Sequence, residues 1–150
     1  MKEPIQNRDT STLNPRFRKN LLSFIAAFNA FYKGKYTMKV AETFRTNERQ
    51  RYLYSLHNPA KGIWKTNCDG VHTYSMHYYR IAADLFVLDR WGRINYNYKL
   101  WRAFYAAVRP SAYGLEIIPQ ELVHVQLAGS QAQYFNGRLS AGYLAQITKK

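Results

Sequence analysis

"SMHYYRIAADLFVLD", Ser75 to Asp89, decides how the rest of the chain is read. From Ile81 to Leu88 it is nearly unbroken apolar sequence of strand length, which reads as a strand buried on both faces. Asp84 interrupts that run, and a carboxylate there is costly to bury unless a cation or metal pairs with it. His77 stands seven residues earlier. Residues an odd number apart on a straight strand face opposite sides. The two can meet only if His77 lies in the loop mouth and Asp84 on the strand. The pair alone fits a metal site or an ordinary loop histidine beside a strand-edge acid.

Working outward, "NPRFRKNLLSFIAAFNAFYKGK" reads as the first helix, with Asn14 as cap, Pro15 in the first turn and Gly34 as stop. Phe17, Leu21, Phe24, Phe28 and Phe31 recur at steps of four and three, one buried stripe. "YTMKVAETF" alternates as a half-buried strand. "TNERQRYLYSLH" predicts a helix with Asn47 and Gln50 at capping-box spacing and Leu53 and Leu56 as its apolar side. Asn58 to Tyr74 lacks periodicity and predicts a long loop. After the central strand, "DRWGRI" predicts a turn into a second strand through Tyr96. "YKLWRAFYAAV" is a helix on its Leu100, Trp101, Phe104, Val108 stripe, and "GLEII" and "VHVQL" are short strands joined near Pro119. At most a short helix is expected in the tail, around Leu144. This order gives an α+β domain with a mainly antiparallel sheet. The expected divisions are a flexible polar N-terminus over 1–12, the domain over 13–127 and an extension over 128–150 packed on it or trailing from it.

The 150 residues, 47% hydrophobic and 16% aromatic, suit one domain with an ordinary core and exclude a disordered chain. Twenty-two Lys and Arg against 9 Asp and Glu give a net charge of +13. Such a surface attracts polyanions, whether nucleic acid, anionic lipid or the anionic polymers of a bacterial wall. Cys68 is the only cysteine, so no internal disulfide forms and a zinc site must use His and carboxylate. "MKEPIQNRDTST" lacks the apolar core of a signal peptide, and no run reaches the length of a membrane span. The chain is therefore expected to be made in the cytoplasm without a leader.

A catalytic zinc takes three protein ligands and keeps one position open. His77 and Asp84 offer two, and His124 in "ELVHVQL" is the candidate third. Glu121, three residues before His124, is placed to take a proton beside such a metal. Glu116 competes for that role, and the spacing to His124 favours Glu121. Each of these residues read singly has an ordinary alternative as a loop histidine or a solvated charge.

Taken as a set, Ser75-x-His77, Ala82-x-Asp84 and Glu121-x-x-His124 resemble the zinc peptidases of bacterial cell walls. These are the D-alanyl-D-alanine carboxypeptidase and L-alanyl-D-glutamate endopeptidase family, with its phage endolysins. "ETFRTNERQRYLYS" resembles the family's strand-to-helix segment, "PAKGIWKTN" its Pro-x-x-Gly loop ending in Thr, and "GLE" the sequence before its last strand. The likeness runs from about Leu13 to Leu127. It implies zinc on His77, Asp84 and His124, Glu121 as general base, Arg45 on the substrate or its carbonyl, and Ser75 in support. It also implies the family's small α+β fold with the sheet behind the zinc. Arg80 stands where the family usually has Gly, a change that places a cation near the metal and a side chain where a special backbone conformation is expected. Ile117-Ile118-Pro119 replaces a Trp-Gly-Gly, and Val123 replaces the Pro before the last ligand, so one cleft wall is expected to differ.

His72 and Tyr78 are further candidates to touch substrate, and the tyrosines of "HTYSMHYY" could stack on sugars or bases. His57 and Cys68 read as structural. The leading expectation is a single-domain, monomeric endolysin that cuts peptidoglycan stems, most readily L-Ala–D-Glu, with D-Ala-D-Ala carboxypeptidase as the alternative. It would reach the wall by holin-assisted release or from a virion, and its basic surface would hold it on anionic wall polymers. A nucleic-acid-binding protein is a separate class, and a wall binder without catalysis another. Nucleic acid is disfavoured because no helix gathers the cations on one face.

Overall fold

Asn14 starts the first helix as its sequence implies. The computed structural model describes residues 2–63 and 65–149, so Trp64 of the "PAKGIWKTN" stretch lies outside the described residues. Helix α1 spans Pro15–Phe31, and the Asn14 side chain accepts from the backbone N–H groups of Arg16 and Phe17. Those donors have no partner inside the helix. Phe17, Leu21, Phe24 and Phe28 are fully buried, and burying each such side chain contributes roughly 1.5–3 kcal/mol. Phe31 departs from the expected stripe at 62% exposure. It is the last helical residue, and the following Tyr32 turns onto Phe104 instead, with ring centres 5.2 Å apart.

Four strands follow: β1 (Tyr36–Glu42), β2 (Ala82–Asp89), β3 (Leu115–Ile118) and β4 (Glu121–Leu127). They form one sheet in the order β1-β2-β4-β3, with every pairing antiparallel. Ala83 lies opposite Val125, and both are buried in the core with Leu85, Val87 and Leu115. The alternation of the pleat puts Ala82, Asp84, His124, Gln126 and Glu116 on the other face, where Ala82 pairs Gln126 and Asp84 pairs His124. The sheet therefore separates an apolar face from a polar one. With the flanking helices this is the expected small α+β domain.

Helix α3 (Tyr98–Ala107) is capped by Asn97 and buries Trp101, Phe104 and Tyr105. Phe104 meets Phe28 edge-on at 5.1 Å, which joins α3 to α1. The expected second strand before α3 reduces to a single bridge, Leu88 to Ile94. The Asp89 carboxylate accepts from the N–H groups of Trp91 and Arg93 and holds the turn. The chain then leaves the sheet because the Asn95 carbonyl takes the Trp101 indole N–H.

Helix α2 (Asn47–Leu56) is capped by Thr46 rather than by an Asn47–Gln50 pair; the Thr46 hydroxyl accepts from Arg49 N–H at 3.1 Å. Its buried side is Arg49 and Gln50, while Leu56 is exposed. α2 packs on an ionic cluster at the end of β1 and not on the apolar core. That reversal positions the site.

The described segments before α1 and after β4 are fastened to the rest of the fold. Asn7 accepts the Thr43 N–H at 2.8 Å, and Glu3 and Pro4 meet Arg49. Beyond β4, a hairpin of β5 (Tyr134–Phe135) and β6 (Arg138–Leu139) leads to α4 (Ala141–Thr148). Ile147 of α4 is buried, and its carbonyl takes the Asn14 side-chain amide.

Candidate metal centre

His77 sits in the turn ahead of β2 and Asp84 on the strand, the arrangement their odd spacing requires. Asp84 and His124 are cross-strand partners on the polar face. The Asp84 Oδ1 atom lies 3.3 Å from His77 Nε2 and 3.4 Å from His124 Nδ1. The candidate ligand atoms of the three residues all fall within 4.8 Å of one another. Tetrahedral zinc with bonds of about 2.0–2.1 Å separates its ligand atoms by about 3.3–3.4 Å. The cluster fits such an ion.

Each histidine is oriented from behind through the nitrogen not offered to the cluster. His77 Nδ1 lies 2.8 Å from the Thr43 carbonyl, and His124 Nε2 lies 2.9 Å from Gln126 Oε1. A carbonyl oxygen only accepts, so each ring nitrogen must donate. Burial alone would raise the Asp84 pKa, yet His77 and His124 outweigh it and hold the carboxyl well below the usual range. Burial likewise works against protonating His124, and the Asp84 carboxylate holds its pKa above the ordinary value.

The three residues open on a cavity of about 390 Å³, which Arg45, Ser75 and Glu121 also line, together with Cys68, Tyr98, Gln126 and Tyr134. Glu121 reaches it through an irregularity. Three residues apart on a straight strand, Glu121 and His124 would face opposite sides. The register slips between β3 and β4, so that Ile117 pairs Val125 while Ile118 pairs Glu121. The slip brings both side chains to one cavity.

Arg45 is anchored in the ionic cluster. Its Nε donates to Glu42, its Nη1 to Gln50 Oε1 at 2.9 Å, and its Nη2 to Asp84 Oδ2 at 3.4 Å. Glu42 also accepts from Arg49, and Gln50 donates to Thr66 and to the Cys68 carbonyl, tying down the loop that walls the cavity.

Other sequence candidates stand outside the cavity lining. His72 is exposed and bonded to Asp69 at 3.0 Å. Tyr78 packs tilted against Tyr74 and edge-on to Tyr79, and its N–H donates to Ser75 Oγ. Arg80 is directed away from the cluster: its Nη1 donates to the Thr12 carbonyl at 2.8 Å and its guanidinium covers the Phe44 ring at 3.9 Å. Its backbone has φ +65°, which is the glycine-like conformation that the resemblance implied at this position. Holding an L-residue there costs about 1–2 kcal/mol. Arg80→Ala should therefore unfold at lower denaturant than Arg80→Gly by about that energy, since both lack the guanidinium contacts and only alanine keeps the strain. Equal stability of the two would contradict this.

Thr43, Glu42, Arg49 and Gln126 were not singled out in the sequence. Gln126 was within reach, since it follows His124 by two and shares its face.

No protein-family model matches this chain, and neither does any curated protein sequence. Solved structures do resemble it. VanYB in complex with D-Alanine-D-Alanine is 16% identical at a TM-score of 0.50, over 88% of this chain and 81% of that one. A zinc complex of a vancomycin-resistance D,D-pentapeptidase VanY variant is 19% identical at 0.51, over 80% and 75%. The Serratia marcescens L-Ala D-Glu endopeptidase ChiX is 18% identical at 0.50, over 85% and 94%. This chain shares the fold of the VanY D,D-pentapeptidase and the ChiX endopeptidase.

Proposed function

We propose that this chain is a zinc-dependent peptidase of bacterial peptidoglycan that cuts the stem peptide, with the L-Ala–D-Glu bond as its first target. The observation that carries the reading is the spacing of the His77, Asp84 and His124 ligand atoms: Asp84 Oδ1 lies 3.3 and 3.4 Å from the two histidine nitrogens, the edge length of a zinc tetrahedron. Bound there, zinc would supply Lewis acidity, polarising the scissile carbonyl and lowering the pKa of water. Glu121 accepts the proton of the attacking water and returns it to the leaving amine. Three of the five guanidinium N–H groups of Arg45 are engaged by Glu42, Gln50 and Asp84. Among the described residues the other two have no partner, and they can hold a carbonyl or carboxylate oxygen of the substrate. Ser75 supports the turn that presents His77.

The likeness to VanYB, whose complex holds D-Alanine-D-Alanine, favours a second reading in which the terminal D-Ala is removed. In either case the +13 charge would concentrate the protein on anionic wall polymers, an attraction that salt screens. We place it with endolysins, which act on the wall after holin-assisted release or from the virion. No helix among the described residues is long and apolar enough to cross a membrane. Clearing zymography on purified peptidoglycan tests the proposal: wild type should clear, while EDTA-treated protein and His124→Ala should not. Clearing that survives both would remove zinc from the account.

Zinc affinity should also depend on pH. Asp84 holds a proton on His124 above the ordinary histidine pKa, which is about 6.5, and zinc must displace that proton. Affinity is thus expected to fall as pH drops through and below neutrality. Chelator competition across that range measures it, and a flat profile would contradict it.

A further inference from the structure

Glu116 does no work in the mechanism above, yet it is bonded with unusual completeness. Its Oε1 accepts from Gln126 Nε2 at 3.1 Å, Ser130 Oγ at 3.1 Å and Gln131 N–H at 2.9 Å, and its Oε2 from Gly129 N–H at 3.2 Å. Burial would raise its pKa, but these donors outweigh it and keep the carboxyl ionised at neutral pH. An ionised carboxylate only accepts. It therefore dictates which end of the Gln126 amide faces it, namely the NH₂.

Gln126 is fully buried, and its amide has no freedom left. With Nε2 spent on Glu116 and on Gln131 Oε1 at 3.2 Å, only Oε1 can face His124 Nε2 at 2.9 Å. That oxygen requires an N–H, so Nε2 keeps its proton, and Nδ1, 3.4 Å from Asp84 Oδ1, is the nitrogen that can release its own to a metal. Gln131 could not fix this by itself, because its own amide can be turned either way. The carboxylate is the one group in the chain of contacts that cannot reverse its role.

We propose that Glu116, acting through Gln126, is a positioning residue that holds the Nε2 proton of His124 and so leaves Nδ1 as the nitrogen offered to the cavity. The inference rests on reading His124 as a metal ligand; the held Nε2 proton itself is a property of the protein without metal. An outer partner of a ligating histidine is commonly worth about 10–100-fold in metal affinity. Glu116→Gln is the sharpest perturbation. It keeps the shape and presents an amide that can donate, so Gln126 becomes free to turn over.

The test is NMR of the histidine rings together with zinc titration against a chromophoric chelator. In metal-free wild type His124 should carry a proton on Nε2 that exchanges slowly with solvent. In Glu116→Gln the Nε2 proton should exchange at least about tenfold faster, and zinc affinity should fall about 10–100-fold. Gln126→Leu, which removes the amide outright, should show the same two losses even if Glu116→Gln folds poorly. A wild-type His124 with no proton on Nε2 overturns the proposal without any variant, as does a folded Glu116→Gln with unchanged exchange and affinity. Wild type that holds the Nε2 proton but binds no zinc would leave the relay standing and overturn the metal-site reading instead.

Discussion

Glu121→Gln should slow cleavage of peptidoglycan stem peptides by about 10²–10⁴-fold, the range for loss of a general base, while zinc affinity stays at the wild-type value. The carboxylate lines the same cavity as His77, Asp84 and His124 but lies outside the three-residue cluster whose atoms close on one point. Glutamine has the same size and cannot take the proton. Affinity and rate should therefore separate, which a ligand substitution does not allow: His124→Ala should lose both. Steady-state kinetics on a synthetic stem peptide, beside a chelator titration, reads the two quantities. A Glu121→Gln protein at full rate would contradict the assignment. Glu116 is no ready substitute, since its carboxylate is held by four donors and lies outside the cavity lining.

Glu42→Gln carries the largest expected effect on stability, about 3–5 kcal/mol, the cost of removing one partner from a buried ion cluster. Glu42 is 2% exposed and receives Arg45 Nε and both Nε and Nη2 of Arg49, two guanidiniums that are themselves buried. Arg49 has a partial substitute in Glu3, which is largely exposed, and Arg45 retains Gln50 and Asp84. Neither replaces a fully desolvated carboxylate. Since domains of this size are stable by only about 5–15 kcal/mol, the variant should show a large drop in urea midpoint. A loss under about 1 kcal/mol, the range of exposed ion pairs, would show that the cluster behaves as a solvated surface network.

The apolar part of this fold was legible because its signals are periodic. Phe17, Leu21, Phe24 and Phe28 mark α1, and the Ile81–Leu88 run marks the central strand. Asp84 advertised itself by being an acid in that run. What the pattern concealed is polar burial. Leu53 and Leu56 suggested the inner side of α2, yet Arg49 and Gln50 occupy it, because the partner there is Glu42 and not a core. Phe31 fitted the stripe but lies past the packed end of the helix. The strand expected after Asp89 was displaced by side-chain capping of the turn and by the Asn95–Trp101 bond, both local contacts without periodicity.

The candidate site divides the same way. His77, Asp84, Glu121 and His124 were found by residue type, spacing and resemblance, but spacing alone argues against Glu121 and His124 sharing a face. Only the register slip between β3 and β4 reconciles them. Arg80 shows the opposite case: the resemblance implied a special backbone there, and φ is indeed positive, while its side chain goes to Thr12 and Phe44 and not to the cluster.

The most direct measurement is mass spectrometry of what zinc-loaded wild-type protein releases from purified peptidoglycan, beside the His124→Ala protein. The account predicts soluble peptides with a new amino-terminal D-Glu from wild type and none from the variant; free D-Ala in their place would move the cut to the stem's end. A folded wild-type protein that holds zinc and releases neither product would contradict the claim that this cavity is a peptidase site.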